Sequence, residues 1–333
     1  MKVVVGFSGG VDSAVTARLL QQAGHQVHGL YLDNTDDRAR RDAEEAAACL
    51  DIPLTVRDVK AELEEKVCRP FQESYLRGET PNPCILCNPA MKFKNLLAEA
   101  DRLGAEAIAT GHYARARDGA LYKGMPANDQ SYMLCRLTRE QASRLLLPLG
   151  DFEKTQVRAL AEDFGLPVAH KPDSMEICFI PDKDYIGWLD RRTAPPPPGD
   201  FVFHGEVVGR HEGIHRYTVG QRRPGLLRER KVYISHIDPV KNEIRLALWE
   251  ELFQTEVRAR DFSWLIDPPE DPFRASVRVR HTKWENPPCT VYPEGRTVRI
   301  LCDEPVRAPA AGQSAVLYDG DRLLGGGFIV NGV

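Results

Sequence analysis

The apolar positions of the first half of the chain follow two alternating rhythms. KVVVGF (2–7) is a continuous apolar, β-branched run and predicts a buried strand. Val11, Val15, Leu19 and Leu20 then fall on one helical face, and Gly24 supplies a stop. QVHGLYL (26–32) predicts a second strand, and residues 37–50 a helix. A strand is expected over 54–59, helices over 60–77 and 91–103, and a strand within AEAIATGH (105–112) that runs into a loop. A helix over 153–164 is closed by Gly165 and Pro167. Repeated strand–helix–strand units of this kind predict an α/β doubly wound parallel sheet with helices on both faces. Ligands of such sheets sit at the carboxyl ends of the strands.

The rhythm changes after APPPPG (194–199), a stiff polyproline spacer. Short apolar runs between Gly, Pro and Asp follow, among them FVFHGEVVG, KVYISHI, TVRILCD and QSAVLYDG. Many short strands at regular spacing predict a barrel or sandwich, or two small ones.

Composition narrows the class. The 333 residues are 42% hydrophobic and 28% charged, as in soluble globular proteins. There is no apolar run of transmembrane length, so no membrane partner is expected. MKVVVGFSGG does not read as a signal peptide, and a cytoplasmic location is expected. The net charge of −4 does not advertise nucleic-acid binding. The charge is uneven, however. RYTVGQRRPGLLRERK (216–231) holds six basic residues against one acid, and RASVRVRHTK (274–283) is a second basic run. Such runs usually mark a solvated face; contact with a phosphate backbone is the sharper reading.

Eight cysteines are present: Cys49, Cys68, Cys84, Cys87, Cys135, Cys178, Cys289 and Cys302. In a reducing compartment they are not expected to be structural staples. Cys49, Cys68 and Cys135 lie on apparent helices among apolar neighbours and read as core. Cys289 and Cys302 also read as structural. TPNPCILCN (80–88) is different, because its C-x-x-C lies in an apparent loop of prolines and asparagines. By itself this pair could be half a zinc site, a redox disulfide, part of an iron–sulfur site, or a nucleophile with its neighbour.

GFSGGVDSA (6–14) follows the first strand and opens the first helix. Ser8, Gly9 and Gly10 allow a close wrap around an anion. Ser13 offers a hydroxyl, and the helix start supplies free N–H groups. No Lys-[Ser/Thr] follows, so this is not a Walker A loop, nor is it G-x-G-x-x-G. Asp12 suits a Mg²⁺ ion that bridges to phosphate.

SGGVDS resembles the PP-loop of the ATP pyrophosphatase superfamily. Within it the chain resembles the tRNA-specific 2-thiouridylases over almost its whole length. The resemblance rests on TPNPCILCN with MKF, GHYAR (111–115), DQSYML (129–134), DSMEICFIP (173–181), HRYTVGQRR (215–223) and DEPVRAPAAGQSAVLYDGDRLLGGG (303–327). It implies ATP-dependent 2-thiolation of the wobble uridine, U34, of tRNA. AMP is transferred to uracil O2 and sulfur is substituted at C2, giving 2-thiouridine, AMP and pyrophosphate. Three units are expected: a PP-loop catalytic domain over 1–193, a small β-rich central domain over 199–253, and a C-terminal β-barrel over 254–333. The last two would contact tRNA.

The family's ATP positions map onto Gly6, Phe7, Ser8, Gly9, Gly10, Val11, Asp12, Ser13, Leu32 and Gly111. Its sulfur positions map onto Cys178, as persulfide carrier, and Cys87, as nucleophile. The sulfur would come from a cysteine desulfurase or a sulfur-relay protein. Its tRNA positions map onto Asn82, Pro83, Cys84, His112, Asn128, Asp129, Gln130, Arg278 and Gln313. Four departures stand out. Cys84 occupies a place where some members keep Asp, so Cys84, Cys87 and Cys178 could together hold a 4Fe–4S cluster. Asn128 replaces a common lysine. Val279 replaces a common aromatic residue, and the QRRPGLLRERKVYI segment differs from the usual continuation. Zinc is less expected, since no second ligand pair is in place. A GMP-synthetase-like or argininosuccinate-synthetase-like enzyme would use the same ATP loop but needs neither the cysteines nor the β-rich tail. A metal- and RNA-binding module would not need the loop.

Overall fold

A computed structural model describes every residue except 35–36, 173–176, 181, 224, 228–229, 282–285 and 331–333, and gives Asp37 as backbone only. Asp173 to Glu176 and Pro181 of DSMEICFIP therefore lie outside the described residues. So do Pro224, Arg228 and Glu229 of the first basic run and Thr282 and Lys283 of the second.

The first part runs β1 (Lys2–Gly6), α1 (Val11–Gln22), β2 (Gln26–Asp33), α2 (Asp37–Cys49) and β3 (Leu54–Asp58). It continues with α3 (Lys60–Leu63), α4 (Arg69–Leu76), α5 (Pro83–Cys87), α6 (Phe93–Leu103) and β4 (Ala107–Ala109). A short hairpin of β5 (Ala114–Arg117) and β6 (Ala120–Lys123) precedes α7 (Arg139–Ser143), β7 (Leu145–Leu146), α8 (Lys154–Asp163) and α9 (Tyr185–Asp190). The sheet order is β3-β2-β1-β4-β7, with parallel pairing throughout. The unbroken valine run follows from this burial on both faces. Val3 and Val5 join Ala14 and Val15 of α1 in one core. Val4 joins Leu96 and Leu97 of α6 in the other.

Two expected helices contain wide turns. The helix expected over 60–77 passes through a π-turn at Glu64–Cys68 between α3 and α4. The one expected to start at 91 begins earlier, because a π-turn at Asn88–Lys92 joins α5 to α6. The C-x-x-C is thus helical and not a loop. Pro83 sits at its start, and the Asn82 side chain accepts from the Cys84 N–H at 3.1 Å. That pairing of cap and proline is a normal helix start.

After the polyproline spacer come β8 (Gly199–Phe203), β9 (Glu206–His211), β10 (Arg222–Arg223), β11 (Val232–Asp238) and β12 (Glu243–Ala247), ordered β10-β11-β12-β8-β9. The last six strands are β13 (Phe253–Trp264), β14 (Phe273–Arg278), β15 (Pro288–Glu294), β16 (Thr297–Arg307), β17 (Ser314–Asp319) and β18 (Arg322–Ile329). They close into a barrel through the β13–β18 pairing. The β5–β6 hairpin extends this barrel's sheet through Arg322 and Tyr122, although it belongs to the first part of the sequence.

The barrel also grips the first part through hydrogen bonds. Thr80 N–H donates to Ala311 O at 2.7 Å and Gln313 Nε2 to Thr80 O at 2.8 Å. Tyr132 OH donates to Ser314 O at 3.0 Å. Among the described residues no helix is long and apolar enough to cross a membrane.

Candidate active site

The loop after β1 is shaped by one obligatory glycine. Gly9 has φ +68°, and a Cβ there would lie 2.6 Å from the Ala43 nitrogen of α2. Both the backbone conformation and the close approach of α2 exclude a side chain. Ser13 Oγ donates to Gly10 O at 3.0 Å and accepts from Ser8 N–H at 3.2 Å, which curls the loop over the first turn of α1. Phe7 and Val11 put their side chains in the core, so only their backbone can serve a ligand. Gly111, after β4, packs on the same turn: a Cβ there would be 2.9 Å from the Asp12 backbone carbon. Leu32 lies at the carboxyl end of β2, half-buried.

Asp12, which suits a Mg²⁺ ion by its place in the loop, also has partners within the protein. Lys154 Nζ donates to both its oxygens, at 2.7 and 2.8 Å, and Tyr113 OH to Oδ1 at 2.6 Å. A second lysine, Lys171, donates to Gly9 O at 2.9 Å and to Asp42 at 2.5 Å. Neither lysine was singled out from the sequence, since each lies well over a hundred residues from its partner.

Cys84, Cys87 and Cys178 lie near enough for their charges to act on one another. Cys87 packs into an apolar cluster formed by Phe71, Tyr75, Phe179 and Ile180, together with Ile177 and Trp188. The residues flanking Cys178 are therefore packed into the same cluster as Cys87. Edge-on ring contacts join Phe71 to Phe179 at 5.4 Å and Phe71 to Trp188 at 5.8 Å. Such geometry favours a fixed arrangement. Cys178 retains solvent exposure, and Asn34, just past β2, donates to its sulfur at 3.8 Å. Burial pushes the Cys87 thiol up to about 11, while Lys92 and its backbone N–H act in the opposite direction. Burial raises the Cys178 thiol too, the neighbouring Cys84 adds to it, and Lys92 again opposes. Lys92 is thus a further residue that the sequence reading missed, although it lies in the quoted MKF motif.

Cys84 is exposed on α5. Among the described residues no three His, Cys, Asp or Glu side chains converge closely enough to hold a metal ion. Cys84 is nonetheless a charge neighbour of both Cys87 and Cys178, so the three thiols share one region without forming a ready metal site. Cys68 and Cys135 are buried as expected, as are Cys289 and Cys302, which face one another across β15 and β16. Cys49 is exposed, contrary to the core reading, because it falls at the solvent-facing end of α2.

The residues expected at the tRNA surface divide. Asn82 and Pro83 shape α5, and Gln313 ties that segment to the barrel. His112 donates or accepts at Thr110 Oγ1, 2.7 Å away, and stacks on Phe93; desolvation holds its pKa well below the usual value, so it is neutral. Gln130 Oε1 accepts from Tyr113 N–H at 3.1 Å. Asp129 accepts from Gly124 N–H, from the Ser131 N–H and hydroxyl, and from Arg278 at 2.8 Å. Asn128 N–H donates to Met125 O at 3.0 Å. Arg278 and the buried Val279 line a cavity of about 540 Å³ in the barrel, with Arg280 and Arg307 beside them.

A parallel sheet with a glycine-tight anion loop, a flanking thiol pair and a closed barrel defines a modular nucleotide-using protein. Family models match all three parts: a tRNA methyl transferase HUP domain over residues 1–182, a tRNA methyl transferase PRC-barrel domain over 189–247, and an aminomethyltransferase beta-barrel domain over 254–329. The chain belongs to the tRNA-specific 2-thiouridylase family. The enzyme of that name from Syntrophotalea carbinolica is 43% identical over 98% of both chains. The one from Caldanaerobacter subterraneus is 41% identical over 98% of this chain and 97% of its own. Among solved structures, a 4-thiouridine synthetase–RNA complex with bound ATP overlaps 57% of this chain and 50% of its own, at 19% identity and a TM-score of 0.40.

Proposed function

We propose that the protein is a tRNA-uridine 2-sulfurtransferase that converts the wobble uridine of tRNA to 2-thiouridine at the expense of ATP. The observation that carries this reading is the packing of Cys87 with Ile177 and Phe179, which flank Cys178, beside the end of β2. A ligase that only adenylates its substrate needs no such thiol pair.

The loop from Gly6 to Ser13, with Leu32 and Gly111, holds ATP. Asp12 and Ser13 supply the hard oxygens that Mg²⁺ prefers, and the ion would neutralise phosphate charge there. Uracil O2 bonds to Pα, the Pα–O bond to the β-phosphate breaks, and pyrophosphate leaves with the electron pair as N3 loses its proton. The terminal sulfur of a Cys178 persulfide then attacks C2, and AMP leaves. Cys87 attacks the Cys178 sulfur, and that S–S bond breaks towards the uracil sulfur. N3 regains a proton. The products are 2-thiouridine and a Cys87–Cys178 disulfide, which a dithiol must reduce before the next turnover. A persulfide-bearing donor protein recharges Cys178. The relay is preferred to a cluster because no three His, Cys, Asp or Glu side chains among the described residues are arranged to hold a metal ion.

Residues 1–193 carry the chemistry, and 199–253 and 254–333 hold the tRNA. Asn82, Pro83 and Cys84 face the base; His112, Asn128 to Gln130, Arg278 and Gln313 support the surface around it. U34 must be unstacked to expose C2. The test is incubation of the protein with ATP, Mg²⁺, a protein persulfide and unmodified tRNA, followed by nucleoside mass spectrometry. Appearance of 2-thiouridine at position 34 alone is the expected outcome. Its absence, with tRNA-independent pyrophosphate release, would sink the reading.

A further inference from the structure

The loop that follows β1 has an unusual electrostatic composition for a phosphate site. SGGVDS contains a carboxylate and no cation, and the next basic residue in sequence, Arg18, is on the following turn of α1. ATP carries up to four negative charges, and a departing pyrophosphate concentrates them. Backbone N–H groups and a helix dipole alone supply only partial charge.

The fold brings a cation in from elsewhere. Lys154 lies 142 residues from Asp12 and is the first residue of α8. That is a poor local position, because the positive end of a helix dipole disfavours a lysine in the first turn. The start of α8 is already satisfied by a capping box between Glu153 and Gln156, so the lysine is not needed to build the helix. Its ammonium group reaches the first turn of α1 and spans both Asp12 oxygens, with the Tyr113 ring 5.8 Å away. Tyr113 fixes the same carboxylate from the other direction. The Lys154 side chain is mostly buried, with 21% of its surface exposed, so the fold holds its ammonium against the first turn of α1, beside the loop.

We infer that Lys154 is the phosphate-binding cation of this loop, doing from α8 what a lysine within the loop does in Walker-type sites. Asp12 holds the ammonium in place when the loop is empty. With ATP and Mg²⁺ bound, Asp12 would hold the ion and Lys154 would be free to meet the β- and γ-phosphates. It then stabilises the electron pair that the bridging oxygen retains as the Pα–O bond breaks. Lys171, on the Gly9 carbonyl, is a positioning residue that keeps the loop's N–H groups turned outward. This assignment rests on the thiolation reading for its reaction step, but not for its binding step.

Lys154→Met should weaken binding of ATP and of pyrophosphate by about tenfold or more, while AMP, which lacks those phosphates, stays within about twofold. The kcat of tRNA-dependent pyrophosphate release should fall by about a hundredfold. Lys154→Arg, which keeps the charge, should recover part of it. Asp12→Asn is the control for a merely structural salt bridge, because it breaks the same pair and leaves the lysine. Without Mg²⁺ it should keep pyrophosphate affinity within about threefold of the native protein. Equal losses for Lys154→Met and Asp12→Asn in that assay, or equal losses of AMP and pyrophosphate, would overturn the assignment. A native protein that binds pyrophosphate but releases none from ATP on tRNA addition would sink the thiolation reading and leave the binding role standing.

Discussion

Asp129 of the first half of the chain and Arg278 of the barrel meet in a buried ion pair at 2.8 Å, with 7% and 13% of their side chains exposed. Both were expected to touch tRNA, yet each is a main partner of the other. Asp129 also accepts three hydrogen bonds from Gly124 and Ser131, so its charge is fully solvated by protein. Removing it leaves the Arg278 charge with only Asn286 and the Tyr318 ring, and leaves two backbone N–H groups unpaired. Asp129→Ala should destabilise the protein by about 3–5 kcal/mol in denaturant unfolding, since breaking a buried pair leaves an uncompensated charge. A cost below about 1 kcal/mol would show that the pair does not tie the barrel to the catalytic part.

Gly9 offers a sharper test of the anion loop. Gly9→Ala places a methyl against Ala43 in a backbone conformation that costs an alanine about 1–2 kcal/mol before any clash. Melting should fall modestly. ATP affinity measured by calorimetry should fall by well over tenfold, because the loop must open to relieve the contact. Native-like affinity in this variant would remove the loop from the ATP site.

The two thiol roles separate kinetically. Cys178→Ser should abolish 2-thiouridine formation and leave tRNA-dependent pyrophosphate release intact. Loss of both would remove Cys178 from the sulfur step. With Cys87 pushed up to about 11 by burial, only about one molecule in 10⁴ holds the thiolate at pH 7. Deprotonation favours the nucleophile, so the single-turnover rate of sulfur release should rise about tenfold per pH unit from 7 to 9. A flat profile would mean that thiolate formation does not limit this step. Lys92→Ala should lower the whole profile, because it removes the cation that opposes the raised thiol.

Trp188 holds the Cys178 segment at a distance from the chemistry. Its ring packs on Phe71 and Phe179 and carries Arg192 over its face at 4.3 Å. Trp188→Ala should cost about 3 kcal/mol of stability, within the usual range for losing a packed aromatic side chain. Thiolation should drop far more than adenylation, read as 2-thiouridine formed per pyrophosphate released. An unchanged ratio would show that this cluster does not position Cys178.

The parallel sheet was legible because its signal is local. Val3, Val4 and Val5 need no partner to read as a strand buried on both faces. Gly24 and Gly165 stop helices by backbone preference alone. The helical setting of Cys84 and Cys87 was not legible, because Pro and Asn read as loop until Asn82 is recognised as the cap of a turn that begins at Pro83. The β5–β6 hairpin escaped notice for a related reason. Its four-residue strands carry alternating charge and apolar character that becomes a strand only when β18 offers an edge.

The sequence by itself determined the leading strands and helices of the parallel sheet, the glycine-rich loop after β1 and the β-rich character of the second half. These properties reside in backbone preference, hydrophobic period and side-chain identity within a few residues. Only the tertiary structure decided that Lys154 answers Asp12, that Arg278 answers Asp129, and that Cys87 shares a cluster with the flanks of Cys178. Those partnerships join residues far apart in sequence through packed faces of separate elements. A charge or thiol has no period that would announce its partner, so only the packing of the cores could select it.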